Sequence, residues 1–256
     1  MNHFTAIGVP VYAMEDASNL FRFLLESATP LKSTIPDHFY CVWEAGQGSE
    51  VWFHCDEAAN AITQTTPAFR GKTQLLIGIT EAVGQEKETP LEGLLQGWVN
   101  PQGNDPDSGD YPMVFTWLDK GLHLPLEYPQ IHTFQITAFA HELTGYPGEA
   151  AFSASQPSSG DPDEIKVSIG SESFIPTGMF VEEGDTPRPI AMFNGRVLDM
   201  KELTSPLDDE SFYWLRVRTF GGEYDVVVSS DVIEGELAID GIVSGSFWLC
   251  GRMASP

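Results

Sequence analysis

Apolar and polar residues alternate most regularly near the end of the chain, between residues 212 and 253. Strict alternation is typical of a β-strand with one buried face, because successive side chains point to opposite sides. In the segment 212–220, one side would carry Tyr213, Leu215 and Val217. The other side combines aromatic and cationic side chains: Phe212, Trp214, Arg216 and Arg218.

The remaining pattern predicts many strands and one clear helix. Residues 4–12 indicate a buried strand, which Pro10 places at an edge. A helix follows, with an apolar stripe that Asp16 or Ser18 can cap: Leu20, Phe21, Leu24 and Leu25. Further strands are expected over 38–43, 50–55, 73–83, 92–99, 112–118, 131–143, 174–180, 190–200, 212–220, 224–230 and 241–253.

Polar residues with glycine and proline interrupt this pattern between residues 146 and 173. Such a segment is typical of a linker between domains. The sequence therefore predicts two domains, 1–145 and 174–256, joined by the linker 146–173. The predicted fold class is α+β with predominantly antiparallel strands, in which an N-terminal α+β domain precedes a C-terminal β-barrel.

The C-terminal strand order resembles an OB-fold barrel. A long strand with the internal Gly195 precedes a two-strand meander across Gly221-Gly222, and a linker leads to a closing strand. OB-folds bind single-stranded nucleic acid or oligosaccharide on one sheet face, through stacked aromatic and basic side chains. The resemblance implies a ligand face on Phe212, Trp214, Arg216 and Arg218, extended by Trp248 and Arg252.

A second interpretation of this face stays open. Large exposed apolar patches usually have a partner, so an aromatic face in a two-domain protein is commonly buried against the other domain. The acidic N-terminal region would then cover Phe212 and Trp214, and its carboxylates would pair with Arg216 and Arg218. The two interpretations differ in whether Trp214 is open or covered.

The first 55 residues are similar to one half of a vicinal-oxygen-chelate enzyme, because both have the order strand, helix, strand, strand. That family places a metal-binding His on the first strand, and His3 lies just before the strand predicted here. No second unit of this order appears in the sequence. The resemblance implies a metal-dependent enzyme as an alternative to a binding protein.

Candidate metal ligands and catalytic residues are few. His54, His132 and Glu142 would form a metal site if distant strands brought them together, since His and Glu are common zinc ligands. The Asp-rich turn over 104–110 lacks the distal Glu of an EF-hand and indicates a solvated loop. The sequence has no helical His pair, Cys-x-x-Cys, Gly-x-Ser-x-Gly or phosphate-binding loop, and we therefore predict no cofactor.

The net charge narrows the range of partners. Thirteen Lys and Arg stand against 37 Asp and Glu, which gives −24. Such a charge repels nucleic acid and anionic membranes, so we expect neither as a partner. A protein or a cationic molecule is the expected partner. The N-terminus lacks the features of a secretory signal, and no apolar run is long enough to span a bilayer. A cytoplasmic protein is the resulting prediction.

Three functions remain open from the sequence: a non-enzymatic binding or protein-interaction module, a metal-dependent enzyme, and a binder of oligosaccharide or single-stranded nucleic acid on the barrel face. The first is preferred because no motif supports catalysis.

The hairpin over 38–55 adds a geometric prediction. A turn centred on Gln47-Gly48 places Trp43 opposite Phe53 and Cys41 opposite Cys55, as reduced thiols.

Overall fold

The chain folds mainly into β-strands, as its alternating pattern predicts. A computed structural model describes residues 3–12, 17–84, 89–156, 169–182 and 184–254. Strands contain 52% of the residues and helices contain 13%. The helices are α1 (Ala17–Glu26), α2 (Lys120–His123) and α3 (Glu149–Ser155). The strands are β1 (Thr29–Lys32), β2 (His38–Glu44), β3 (Ser49–Asp56), β4 (Ala61–Phe69), β5 (Leu75–Val83), β6 (Gly93–Val99), β7 (Tyr111–Trp117), β8 (Gln130–Tyr146), β9 (Ser173–Ile175), β10 (Ile190–Thr204), β11 (Ser211–Thr219), β12 (Gly222–Ser229), β13 (Ile233–Gly235) and β14 (Ile242–Met253).

The first four strands form one antiparallel sheet in the order β1-β2-β3-β4, called sheet A here. Its central hairpin corrects the predicted register. Cys41 lies opposite Phe53, and Cys55 lies opposite Phe39. The cause is the turn, since Gly46, Gln47 and Gly48 all have positive φ and close a loop between Glu44 and Glu50. The two thiols are therefore diagonal neighbours on one face, and neither is in a disulfide.

The other ten strands form a mixed sheet, called sheet B, which closes into two rings. The first ring contains β8, β10, β11, β12 and β14. The second contains β5, β6, β7, β8 and β14. The long strands β8 and β14 pair with each other and belong to both rings.

This topology corrects the predicted barrel in one respect. The strands after residue 174 do not close on each other alone, because β12 and β14 both pair with β8. β8 ends at Tyr146, the first residue of the predicted linker 146–173. Residues 157–168 of that linker lie outside the described residues. The sheet thus continues across the position at which the sequence suggested a boundary.

Two apolar cores follow from this arrangement. The first fills the rings and contains Leu215, Val217 and Tyr224 from β11 and β12. The second lies between sheet B and the N-terminal elements, where it combines residues of sheet A with Phe139 and Trp214. Opposite faces of β11 therefore contribute to different cores, as alternation along a strand requires.

The N-terminal segment is buried as predicted but is not a strand. Residues Thr5–Ile7 form a 3-10 turn, and Gly8 follows at φ 71°. A side chain at Gly8 would place its Cβ 2.7 Å from the ring of Phe212, so only glycine fits here. The segment lies across sheet B without joining it. The proposed cap Asp16 lies outside the described residues, while Ser18 is already inside α1.

The sequence prediction missed three strands: β1, β4 and the short β13. Pro30 and Pro67 lie in β1 and β4, and a proline that turns its nitrogen outward is compatible with an edge strand. Among the described residues, no helix has the length and apolarity needed to cross a bilayer.

Candidate functional site

The aromatic side chains of the predicted ligand face are buried. Phe212 is 2% exposed and Trp214 is 3% exposed, and both belong to the core beneath the N-terminal elements. The Nζ of Lys72 lies 4.8 Å from the centre of the Trp214 ring. Arg216 and Arg218 lie nearer the surface, with carboxylates of Glu223 at 3.8 Å and Glu172 at 3.0 Å. The structure therefore leaves no open aromatic platform on β11.

A buried carboxylate explains how Trp214 is held. Asp225 on β12 is fully buried, and its Oδ1 accepts a hydrogen bond from Trp214 Nε1 at 2.8 Å. Its Oδ2 accepts from the Thr73 amide and hydroxyl at 2.9 and 2.7 Å, and both oxygens accept from the Lys72 amide. A side chain at Gly71 would overlap this carboxylate. Asp225 thus attaches the connection between β4 and β5 to sheet B.

Next to this connection is a cavity of about 590 Å³ between sheet A and the ends of β8 and β14, called the inter-sheet cleft. Strand β1, the face of sheet A with Val42 and Trp52, and helix α2 supply its walls. Ligand sites commonly have volumes of about 300–1,000 Å³. The charged and titratable side chains that line it are Glu44, Arg70, Lys72, Asp119, His123 and Arg252.

Two arginines of the cleft are attached to one buried carboxylate. Glu50 is 2% exposed, and it accepts hydrogen bonds from Arg70 Nε, Arg252 Nη2 and Trp52 Nε1 at 2.7, 2.7 and 2.8 Å. Burial by itself raises the pKa of Glu50, but Arg252, Trp52 and Arg70 outweigh it and hold this pKa below its usual value. The guanidinium of Arg252 also lies 5.7 Å from the Trp52 ring centre. Both guanidinium groups are therefore fixed side by side.

A second buried carboxylate organises the opposite wall. Asp119 is 5% exposed and accepts hydrogen bonds from the Met253 amide at 3.2 Å. Its Oδ2 lies 2.9 Å from Nε2 of His123, one turn later in α2. This contact fixes the orientation of the imidazole, because the partner of one ring nitrogen sets the position of the other.

The charged side chains of the cleft differ in exposure. The side chains of Arg70 and Lys72 are 61% and 59% exposed, whereas those of Glu50 and Asp119 are 2% and 7% exposed. Arg252 is 15% exposed, and Glu44 is an exposed acid that accepts a hydrogen bond from Arg70 at 3.2 Å. Glu50 and Asp119 are thus engaged by protein donors, and the solvent-facing groups are Arg70, Lys72 and Glu44.

Trp248 lines a different cavity, of about 650 Å³. Its Nε1 donates a hydrogen bond to Thr116 Oγ1 at 3.0 Å. His3 stacks on its ring, with 4.7 Å between ring centres, and also stacks on His141 at 4.9 Å. Burial and then the neighbouring His141 lower the pKa of His3 to about 3, so this imidazole is neutral near pH 7. The N-terminal segment therefore covers one side of Trp248.

The proposed metal ligands do not come together. His132 and Glu142 are ten residues apart on the extended strand β8, which separates them by about 33 Å. His54 is buried in sheet A, with its ring against Tyr40. Among the described residues, no three His, Cys, Asp or Glu side chains form a group that would hold a metal ion.

Of the six predicted ligand-face residues, only Arg252 lines the inter-sheet cleft. Sequence reasoning missed Glu50, Arg70 and Lys72. One signal was available, because Glu50 is an acid between the apolar residues of a buried strand and requires a partner. No protein-family model, curated protein or solved structure matches the chain.

Proposed function

We propose that this chain is a non-enzymatic binding protein that holds a small molecule in the inter-sheet cleft. One observation carries the proposal: Arg70 and Arg252 line a cavity of about 590 Å³ and are both attached to the buried Glu50. Fixing polar groups before a ligand arrives lowers the entropic cost of binding. If the contacts of Glu50 with Arg70 and Arg252 served stability alone, no open cavity beside the two arginines would be needed.

The positions of the remaining groups favour binding over chemistry. His123 is oriented by Asp119, and the hydroxyl side chains that line the cleft are those of Thr29 and Thr73. The Thr73 hydroxyl donates to Asp225, and Thr29 lies on the exposed strand β1. Nucleophilic catalysis needs a nucleophile and its base within hydrogen-bond distance. Trp52 instead provides an apolar wall beside polar donors, a combination found in ligand pockets.

The proposal retains part of the OB-like interpretation. The ring of β8, β10, β11, β12 and β14 has five strands, the number found in OB-folds. The proposed ligand site lies beside the end of β14 rather than on β11, where Trp214 is covered. We also retain the cytoplasm as the proposed location, since Cys41 and Cys55 are adjacent thiols without a disulfide.

A variant that fills the cleft provides the test. Thr29 is an exposed residue of β1 on the cleft wall, and Thr29→Trp should obstruct the cavity without disturbing a core. Ile62→Trp on the edge strand β4 is the matched control, because Ile62 is 44% exposed and does not line the cleft. Thermal unfolding of all three proteins is measured against a library of small metabolites.

A ligand at one hundred times its Kd stabilises a protein by about 2.7 kcal/mol. For a chain of this size, that corresponds to a rise in Tm of about 5–10 °C. We expect such a rise in the wild type and in Ile62→Trp, and its loss in Thr29→Trp. If no compound stabilises the wild type, or if Thr29→Trp responds equally, the proposed function is wrong.

A further inference from the structure

The charges around the inter-sheet cleft differ from those of the whole chain. The lining residues include three of the 13 basic residues, Arg70, Lys72 and Arg252, but two of the 37 acidic ones, Glu44 and Asp119. With the buried Glu50, which binds both arginines, three acids balance three bases, so the site is locally neutral on a chain of −24. The overall charge suggested a cationic partner, whereas the cleft does not share the acidic excess of the rest of the chain.

The two guanidinium groups are arranged in a way that suits an oxyanion. Each arginine has five N–H donors in a planar fork. Glu50 accepts one hydrogen bond from Arg70 and one from Arg252, on its two separate oxygens. Because both guanidinium groups lie against one carboxylate, an anion above it can contact both. Arginine forks match the geometry of carboxylate and phosphate groups.

Lys72 adds a third cation on the same wall. Its backbone amide is held by Asp225, which fixes the start of the side chain at the edge of the cleft. The ammonium group lies 3.8 Å from Asp199 and 4.8 Å from the Trp214 ring centre, and the side chain is 59% exposed. The Lys72 side chain lines the cleft, and an acidic group of a ligand at the rim would compete with Asp199 for its ammonium group.

We propose that the ligand of the inter-sheet cleft is a small organic or inorganic anion with a carboxylate or phosphate group. Arg70 and Arg252 bind one oxyanion, and Lys72 binds the part of the ligand nearest the rim. This inference rests on the proposed function, since it names the ligand class of the same cleft. It predicts that binding requires negative charge on the ligand and positive charge at Lys72.

Isothermal titration calorimetry at about 0.05 M and about 0.15 M salt tests the proposal, because screening weakens contacts between exposed charges. The probes are inorganic phosphate, citrate, the neutral sugar glucose and the cation putrescine. Phosphate and citrate represent the two oxyanion classes, and either one is sufficient for the proposal. The proteins are the wild type, Lys72→Glu, Thr29→Trp and Lys32→Glu.

Lys32→Glu is the matched control for charge reversal. Lys32 is exposed on β1, directly after the cleft residue Leu31, and it does not line the cavity. We expect an anion to bind the wild type and Lys32→Glu with Kd values within about threefold of each other. Lys72→Glu should raise Kd by at least about tenfold, a loss equivalent to one charge contact. Thr29→Trp should abolish binding.

The outcomes separate the two proposals. If glucose or putrescine binds the wild type but not Thr29→Trp, while neither anion binds, the cleft is a ligand site and the anionic class is overturned. If an anion binds but Lys72→Glu and Thr29→Trp leave its Kd unchanged, the anion binds elsewhere and the present inference fails. If none of the four probes binds, the anionic class fails, and the metabolite library then decides the proposed function.

Discussion

The fully buried carboxylate of Asp225 provides the sharpest test of how sheet B holds the wall of the cleft. Asp225→Asn keeps the shape of the side chain but replaces one oxygen by an NH2 group. One oxygen faces the Trp214 indole and the other faces Thr73, so either orientation of the amide turns a donor toward a donor. At least one buried N–H or O–H group then loses its acceptor.

The expected cost follows from these contacts. An unsatisfied buried donor costs about 1–3 kcal/mol, and the remaining hydrogen bonds lose the contribution of a charged acceptor. We therefore expect Asp225→Asn to lower the free energy of unfolding by about 2–4 kcal/mol. Urea unfolding followed by circular dichroism measures this change. The exposed Asp185→Asn is the control and should stay within about 0.5 kcal/mol of the wild type.

Trp214→Phe refines the test, because it removes one donor to Asp225 and keeps an aromatic ring in the core. The double variant should lose less stability than the sum of the single variants, since both changes remove the same contact. An Asp225→Asn protein within about 0.5 kcal/mol of the wild type would refute the role assigned to this carboxylate.

Three further predictions follow from buried groups and from topology. Because the pKa of Glu50 is lowered in the folded protein, its stabilising effect is present above the pKa of the unfolded chain and is lost in acid. Urea unfolding measures the difference in free energy of unfolding between the wild type and Glu50→Gln. This difference should be constant above about pH 5 and shrink below about pH 4.3. Because the pKa of His3 is lowered to about 3, only the unfolded chain binds a proton at this imidazole between about pH 6.5 and 3. The free energy of unfolding should therefore decrease as the pH is lowered through this range, by at most about 1.4 kcal/mol per pH unit. His3→Phe should reduce that slope. A fragment of residues 174–256 keeps the pairs β11–β12 and β10–β14 but lacks β8, which leaves one edge of β12 and one edge of β14 without a partner and opens the ring. We expect this fragment to show no cooperative unfolding transition; a cooperative transition would support an independent C-terminal domain.

Local alternation predicted much of the strand content, because each strand buries one face whatever its neighbours are. The strand expected over 212–220 is observed as Ser211–Thr219, with Leu215 and Val217 facing the ring interior. The strand predicted over residues 4–12 is not observed, for a specific reason. Its apolar residues fill a core as required, but Gly8 is in a left-handed conformation and the backbone forms a turn. Apolar content predicted burial there and not backbone geometry.

The cleft depends on contacts that no local pattern encodes. Glu50 and Arg70 come from β3 and the residue after β4 in sheet A, while Arg252 comes from β14, and the packing of sheet A beside the end of β14 brings them together. An acid in a buried strand signals a partner without saying which arginine it is. The same contact bears on how a chain of −24 could hold the proposed anion. Glu50 and the two arginines compensate one another's charge, while each guanidinium group has more N–H donors than the one that Glu50 uses. The preference of such a site therefore depends on which donors the fold leaves without an acceptor, and net charge governs the approach from a distance.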